Sequence, residues 1–215
     1  MKITSPRITK VLKEDSSLDE TLLQTGEDLT EYSFRNQRLF EVKTENIGMQ
    51  SCVFSNCLLI GCHIKKSQFS DIIFRNCDLS NVNFSGSGFH RIEFIECKLI
   101  GANFSESALN HLVFSNCKAE YLNLTMSKLK YVDFDRCDLR NSSLENCQFA
   151  SVSFNASDLK EAEFYRTSLK GTDFSNCDIS GIRISPIVGC ELRGATVTSL
   201  QALELAHLLG VTIKG

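Results

Sequence analysis

From Phe34 to Ile184 every fifth residue is apolar, with Thr44 the single exception. The residue two places before each is small or β-branched in nearly every unit, as in Cys52, Cys57, Cys62, Ser67, Ile72, Cys77 and Val82, and the other three positions are mostly polar or Gly. A period of five matches neither the 3.6 of a helix nor the 2 of a flat strand, so neither element keeps these residues on one face. A short-period coil does, and such sustained self-similarity predicts a solenoid whose units bury their apolar side by stacking on their neighbours. A second period, of twenty, sets the turn: Phe34, Phe54, Phe74, Phe94, Phe114, Phe134, Phe154 and Phe174 form an unbroken column. The next column runs Leu39, Leu59, Leu79, Leu99, Ala119, Leu139, Leu159 and Ile179. Four five-residue sides per coil then stack like on like, about 4.8 Å apart, the spacing of paired strands.

The pattern divides the chain into a segment over 1–30, expected to cover the end of the stack, a β-helix over 31–197, and a closing segment over 198–215. In the first segment Ile3, Ile8, Val11 and Leu12 suit a short edge strand. Ser17-Leu18-Asp19-Glu20 has the form of a capping box and Gly26 could stop the helix that would follow, while the five-residue spacing of Leu18 and Leu23 suits a degenerate first coil. Thr44 and Met49 are the weakest units and mark an expected local distortion. Asn36, Asn56, Asn76, Asn116 and Asn176 share one column, interrupted by Glu96, and are read as corner turns because Asn tolerates turn conformations.

At Ser185-Pro186 the pattern breaks, and a shifted register makes Ile187, Leu192 and Val197 central, with Cys190 and Ala195 two places before theirs. Thr198-Ser199-Leu200-Gln201 then forms a T-x-x-Q capping box before a helix over 200–209. Its apolar face is Leu200, Leu203, Leu205, Leu208 and Leu209; Gly210 is the stop, and Val211-Thr212-Ile213 alternates like a short strand. One side of this element closes the last coil. The excess of leucine beyond that need predicts a homodimer through Leu200, Leu203, Leu205, Leu208, Leu209, Val211 and Ile213, since large apolar patches mark interfaces.

Ten cysteines raise the question of disulfides or metal. No C-x-x-C pair occurs, and nine of the ten sit at the small inward position, which predicts buried, reduced thiols and no metal site. Cys57, Cys77, Cys97, Cys117 and Cys137 should form a ladder along one side, in a reducing compartment. The start lacks the apolar core of a signal peptide and no run approaches membrane-spanning length, so a cytoplasmic location is expected, with no membrane partner. His63, His90, His111 and His207 are scattered, and no phosphate loop or nucleophile motif is present. An enzyme is therefore not expected, and no cofactor is implied.

The units Cys77-Asp78-Leu79-Ser80-Asn81, Ala102-Asn103-Phe104-Ser105-Glu106, Ser157-Asp158-Leu159-Lys160-Glu161 and Cys177-Asp178-Ile179-Ser180-Gly181 resemble those of the pentapeptide-repeat proteins. That resemblance implies a right-handed, quadrilateral all-β helix. The closing residues, Leu192-Arg193-Gly194-Ala195, Gln201-Ala202-Leu203 and Leu208-Leu209-Gly210-Val211-Thr212-Ile213, are similar to those of the Qnr/MfpA type within it. What this implies is a head-to-head dimer joined at the C-termini, a rod that mimics duplex DNA, and DNA gyrase or topoisomerase IV as the partner whose fluoroquinolone inhibition it counteracts. Many Qnr proteins carry two coil-interrupting loops needed for protection. This chain has none, and in that it resembles the loopless Qnr-like proteins of Gram-positive chromosomes, for which weaker protection or outright inhibition is implied.

Net charge is −3, too small to name a partner. Its distribution says more. The sides built on Phe34 and Leu39 carry Asp133, Asp135, Asp138, Asp158, Glu161, Asp173 and Asp178, interrupted by Arg136, Arg140 and Lys160. These carboxylates are the candidate DNA-mimicking surface. Several also stand where the repeat places Asp for local hydrogen bonds. The side built on Met49, Phe69 and Phe89 is basic, with Arg91, Lys128, Lys130 and Lys170 against Asp71. Direct nucleic-acid binding is not expected overall, and that side is the feature that speaks for it. The alternative role is a structural or adaptor solenoid for another protein.

Overall fold

The structure, a computed structural model, describes residues 2–14, 18, 28–185, 191–208 and 210–212. It is a four-sided parallel β-solenoid of about seven turns with one short C-terminal helix. The strands are β1 (Lys13–Glu14), β2 (Leu29–Thr30), β3 (Tyr32–Arg35), β4 (Arg38–Phe40), β5 (Lys43–Glu45), β6 (Gly48–Ser55), β7 (Leu58–Ile60), β8 (His63–Lys65), β9 (Gln68–Arg75), β10 (Gly88–Ile95), β11 (Ala108–Ser115), β12 (Lys128–Asp135) and β13 (Gln148–Asn155). From β6 to β13 the long strands pair in parallel with a strict offset of twenty, as in Phe74↔Phe94↔Phe114. On the other sides the first coils pair through three-residue ladders, β4 with β7 and β5 with β8, and later coils through single bridges, such as Asp78↔Lys98↔Lys118 and Asn83↔Asn103↔Asn123, with the same offset.

We number the sides by their central columns: side 1 on Phe34, side 2 on Leu39, side 3 on Thr44 and side 4 on Met49. The Phe column of side 1 stacks face to face, with centroids 5.0 Å apart for Phe74–Phe94 and 4.8 Å for Phe94–Phe114. Two places before each centre, the small residue fills the inner corner and ties coils together. Cys77 Sγ donates to Phe54 O at 3.5 Å, and Ser107 Oγ accepts the Ser87 N–H at 3.2 Å. On side 1 the same position takes larger residues, Ile72, Ile92, Leu112 and Val132, all fully buried, which pack without that bond. Cys57, Cys77, Cys97, Cys117 and Cys137 are buried as free thiols in one column, while Cys177 is half-buried and Cys190 lies outside the described residues. The Cys57 contact lowers the thiol of Cys77, but the Cys97 contact and burial outweigh it and push it up to about 12, and burial pushes Cys147 up to about 11.

Corners occur two places after each centre. There the backbone enters the left-handed region, at φ 54° for Asn36, 56° for Asn56, 50° for Asn76 and 53° for Asn116, which accounts for the Asn column. Asn176 is not among these left-handed residues. Arg136, Tyr131 and Met126 adopt the same conformation at equivalent corners. The ladder evidently over-determines the turn, because β-region alternatives would break the backbone bonds on both sides.

Three expectations need correction. Thr44 and Met49 make no distortion: Thr44 pairs with Ile64 in register and Met49 is buried. The N-terminal segment does not simply cover the end. Residues 2–9 run lengthwise along the corner between sides 4 and 1, with Thr9 N–H donating to Ser51 Oγ (3.0 Å), Arg7 N–H to Asp71 Oδ1 (2.8 Å) and Thr4 N–H to His111 Nδ1 (3.1 Å). Leu29–Thr30 already pairs with β6, so stacking begins before residue 31. Leu18 is fully buried in the core, whereas the capping box around it, Leu23 and Gly26 lie outside the described residues. Lastly, no strand forms at Val211-Thr212, and Ile213 lies outside the described residues.

The shifted register near the end is present. Asp173 bridges Thr196 and Gly171 N–H donates to Gly194 O at 2.9 Å, an offset of twenty-three that seats Leu192 and Val197 against the core. Pro186, Ile187 and Cys190 are outside the described residues. Helix α1 (Ser199–Leu208) follows and opens on the reciprocal capping box, Thr198 N–H to Gln201 Oε1 (2.8 Å) and Gln201 N–H to Thr198 Oγ1 (3.2 Å). Gln201 Nε2 also donates to Phe174 O and Cys177 O, fastening the helix to the last complete coil.

Candidate partner-binding surface and family

The repeat places an outward side chain just before and just after each centre. On side 2 the position before the centre carries Asp138, Asp158 and Asp178, bridged coil to coil. Like charges stacked in register repel, so such a column needs nearby counter-charge. Arg140 and Lys160 supply it from the position after the centre. Arg140 Nη2 reaches Glu120 at 2.8 Å and Asp138 at 2.7 Å, and Lys160 Nζ reaches Asp158 at 3.7 Å and Asp178 at 2.9 Å. The Arg140 bond holds the Asp138 carboxyl below the usual carboxylate range, and the Lys160 bond does the same for Asp178.

The other sequence-predicted carboxylates lie on or beside this surface. Glu161, at the corner of side 2, pairs with Arg183 at 3.0 Å, and Asp135 on side 1 pairs with Arg136 at 2.5 Å. Asp133 accepts from Ser153 Oγ and from Asn155 Nδ2. Asp173 accepts the Ser175 N–H at 2.9 Å, which holds its carboxyl low. Asp138, Asp158 and Asp178 each accept the N–H two residues ahead in the same way, so these side chains also brace the backbone.

Sequence reasoning stopped one side short. Side 3 adds Glu145 and Glu163, with Arg183 joined to Glu163 at 2.8 Å. Burial and the neighbouring Glu163 carboxylate raise the Glu145 carboxyl. Reading the same two outward positions on side 3 would have found them. Over residues 132–185, sides 1 to 3 carry nine carboxylates against Arg136, Arg140, Lys160, Arg166 and Arg183, a net charge of −4. The surface is acidic but interleaved with cations.

At the C-terminal end Leu200, Leu203, Leu208 and Val211 are exposed, at 70%, 49%, 40% and 49%. Leu205 instead packs against the core, and Leu209 and Ile213 lie outside the described residues. The basic side keeps Lys128, Lys130 and Lys170 exposed, while Arg91 is bound to Asp71. Among the described residues no group of His, Cys, Asp or Glu is gathered to hold a metal, and no helix is long and apolar enough to cross a membrane.

Among solved structures the likeness to HetL agrees with the coil. HetL of the cyanobacterium Nostoc sp., a pentapeptide repeat protein involved in heterocyst differentiation regulation, is 14% identical with a TM-score of 0.60, covering 80% of this chain and 87% of HetL. Full-length QnrB1, a plasmid-mediated fluoroquinolone resistance protein, is 22% identical with a TM-score of 0.41, covering 94% and 98%. A trypsin-treated QnrB1 gives 24% and 0.45, covering 95% and 97%. No curated protein sequence matches. The family model for a pentapeptide repeat region matches residues 87–164, and that for pentapeptide repeats matches 52–91 and 147–185, so that the matched residues run without a gap from 52 to 185. With every coil between those limits closing on twenty residues around a Phe and Leu core, the chain belongs to the pentapeptide-repeat family.

Proposed function

We propose that this protein is a non-catalytic, DNA-mimicking rod that binds a type II topoisomerase, DNA gyrase or topoisomerase IV, and modulates its response to fluoroquinolones. The observation that carries the reading is the acidic surface that sides 1 to 3 carry over residues 132–185, in the coils leading to the C-terminal helix. A basic DNA-binding saddle attracts such a surface for the same reason it attracts phosphates. The resemblance of the closing segment to the Qnr type supports the choice of partner. It also supports a homodimer through Leu200, Leu203, Leu208 and Val211, which would bring two acidic surfaces into one longer rod. The rod works by shape and charge in the cytoplasm and needs no cofactor.

The test is a supercoiling assay with purified gyrase, with and without ciprofloxacin. Micromolar protein should change supercoiling or drug sensitivity. Asp138→Asn, Asp158→Asn and Asp178→Asn combined should weaken that effect at least tenfold, while the circular-dichroism spectrum stays unchanged. No effect of the unaltered protein on either enzyme activity or drug sensitivity ends the proposal.

A further inference from the structure

The lengthwise strap over residues 2–9 changes the electrostatics of the opposite side. With the adjoining Lys10, its sequence, Lys2-Ile3-Thr4-Ser5-Pro6-Arg7-Ile8-Thr9, brings three cations and no carboxylate. Backbone bonds to Ser51, Asp71 and His111 lay it along the side 4 corner, so Lys10, Arg7 and Lys2 follow one another down the rod towards Lys130. Lys128, Lys130 and Lys170 continue the line on side 4 itself. From the coil of Ser51 to that of Lys170 the line covers six coil steps, about 29 Å at the paired-strand spacing. Along those coils the only carboxylate on side 4 is Asp71, and Arg91 neutralises it through two 2.5 Å contacts.

All six of these cations are exposed, and among the described residues none has a carboxylate within ion-pairing distance. This contrasts with side 2, where Arg140 is tied to three carboxylates and Lys160 to two. Unpaired cations in a straight row attract a linear polyanion, whose condensed counterions they release. The outward side 4 positions from 108 to 170 offer Ala, Asn, Lys, Gln and Ser, with no large apolar side chain to anchor a protein partner or enter a bilayer. Lys128 and Lys130 flank Leu129 about 6.6 Å apart, two residues along one strand, a separation that suits neighbouring phosphates.

We propose that the strap and side 4 together form a docking edge for the phosphate backbone of duplex DNA, read without base specificity and spanning about eight base pairs at 3.4 Å each. The rod then has two working surfaces of opposite sign, and the N-terminal strap supplies half the cations of the basic one. This inference is independent of the acidic-surface reading, because no topoisomerase takes part in it.

The measurement is fluorescence anisotropy of a labelled duplex of about twenty base pairs, titrated with the full chain in about 50 mM salt and again in about 200 mM. Engagement of about four phosphates predicts roughly hundredfold weaker binding at the higher salt. Lys128→Glu, Lys130→Glu and Lys170→Glu combined should weaken binding at least tenfold, as should Arg7→Glu with Lys10→Glu. The asparagine triple variant of Asp138, Asp158 and Asp178 should bind as tightly as the unaltered protein or more so. The proposal is overturned by an absence of binding in the lower salt, by binding insensitive to the lysine substitutions in folded protein, or by tighter binding to phosphatidylserine vesicles than to the duplex.

Discussion

Arg91 lays its guanidinium along the Asp71 carboxylate of the preceding coil, Nε to Oδ1 and Nη2 to Oδ2 both at 2.5 Å. Both side chains are largely sequestered, with 17% and 5% of their surface exposed. Asp71 Oδ1 also accepts the Arg7 N–H, so one carboxylate locks two coils and the strap together.

Breaking this pair from the cationic side should therefore cost more than its net worth. Arg91→Ala leaves a buried carboxylate facing only a backbone N–H, and a loss of about 3–5 kcal/mol is expected on urea unfolding. Asp71→Asn with Arg91→Ala should recover a large part of that loss, since the unpaired charge is gone. Hydrogen exchange should show the amides of Arg7 and Thr9 losing protection in Arg91→Ala.

Acid should weaken the protein in a defined direction. Burial alone would raise the Asp71 carboxyl, but the Arg91 guanidinium and the Arg7 N–H outweigh it and hold it low; Arg140 and Lys160 do the same for Asp138 and Asp178. A carboxyl lower in the folded state than in the unfolded chain contributes stability that is complete above the unfolded value of about 3.9 and is lost as pH falls through the folded one. Urea midpoints should therefore fall below about pH 4. Asp71→Asn should flatten that decline more than Asp178→Asn, whose carboxylate is 41% exposed and screened by water.

The Phe column should behave as one body with a loose end. Phe114 stacks between Phe94 (4.8 Å) and Phe134 (4.7 Å) and is fully buried, so Phe114→Ala should destabilise by about 3–5 kcal/mol through lost contacts and a cavity. Phe174 lies 5.9 Å from Phe154 and meets the shifted last coil, which leaves it fewer stacking partners. Phe174→Ala should cost less, measured by the same urea titration. In a solenoid each coil contacts only its neighbours, so a central defect should also broaden the transition by uncoupling the two halves.

The coil was legible because its signal repeats: a Phe every twenty residues cannot be satisfied by any other stacking, and Phe74, Phe94 and Phe114 stand where that spacing puts them. The capping box of Thr198 and Gln201 was legible for a similar reason, since its residues are three apart and need no tertiary context. The strap was not. Thr4 and His111 are 107 residues apart, and no periodicity links a non-repeating segment to a corner column. The acidic residues were legible by position, but not their neutralisation, because Arg140 reaches Glu120 and Asp138 by rotamer choice rather than by register.

The leucines of α1 divide into two sets that mutation should separate. Leu205 faces the last coil and packs against the core, whereas Leu203 and Leu208 are exposed at 49% and 40%. Charge at Leu205 is therefore a stability defect, and Leu205→Lys should loosen the helix from the Gln201 bonds to Phe174 O and Cys177 O and lower the urea midpoint. Charge at Leu203 and Leu208 leaves the folded chain intact and removes only what a second copy would cover. Sedimentation velocity should find the unaltered protein at twice the 24.1 kDa chain mass and the Leu203→Lys, Leu208→Lys variant at the single-chain mass, with unchanged circular dichroism. A monomeric unaltered protein at micromolar concentration would sink the dimer. A dimer that persists in the double variant would move the contact away from this helix.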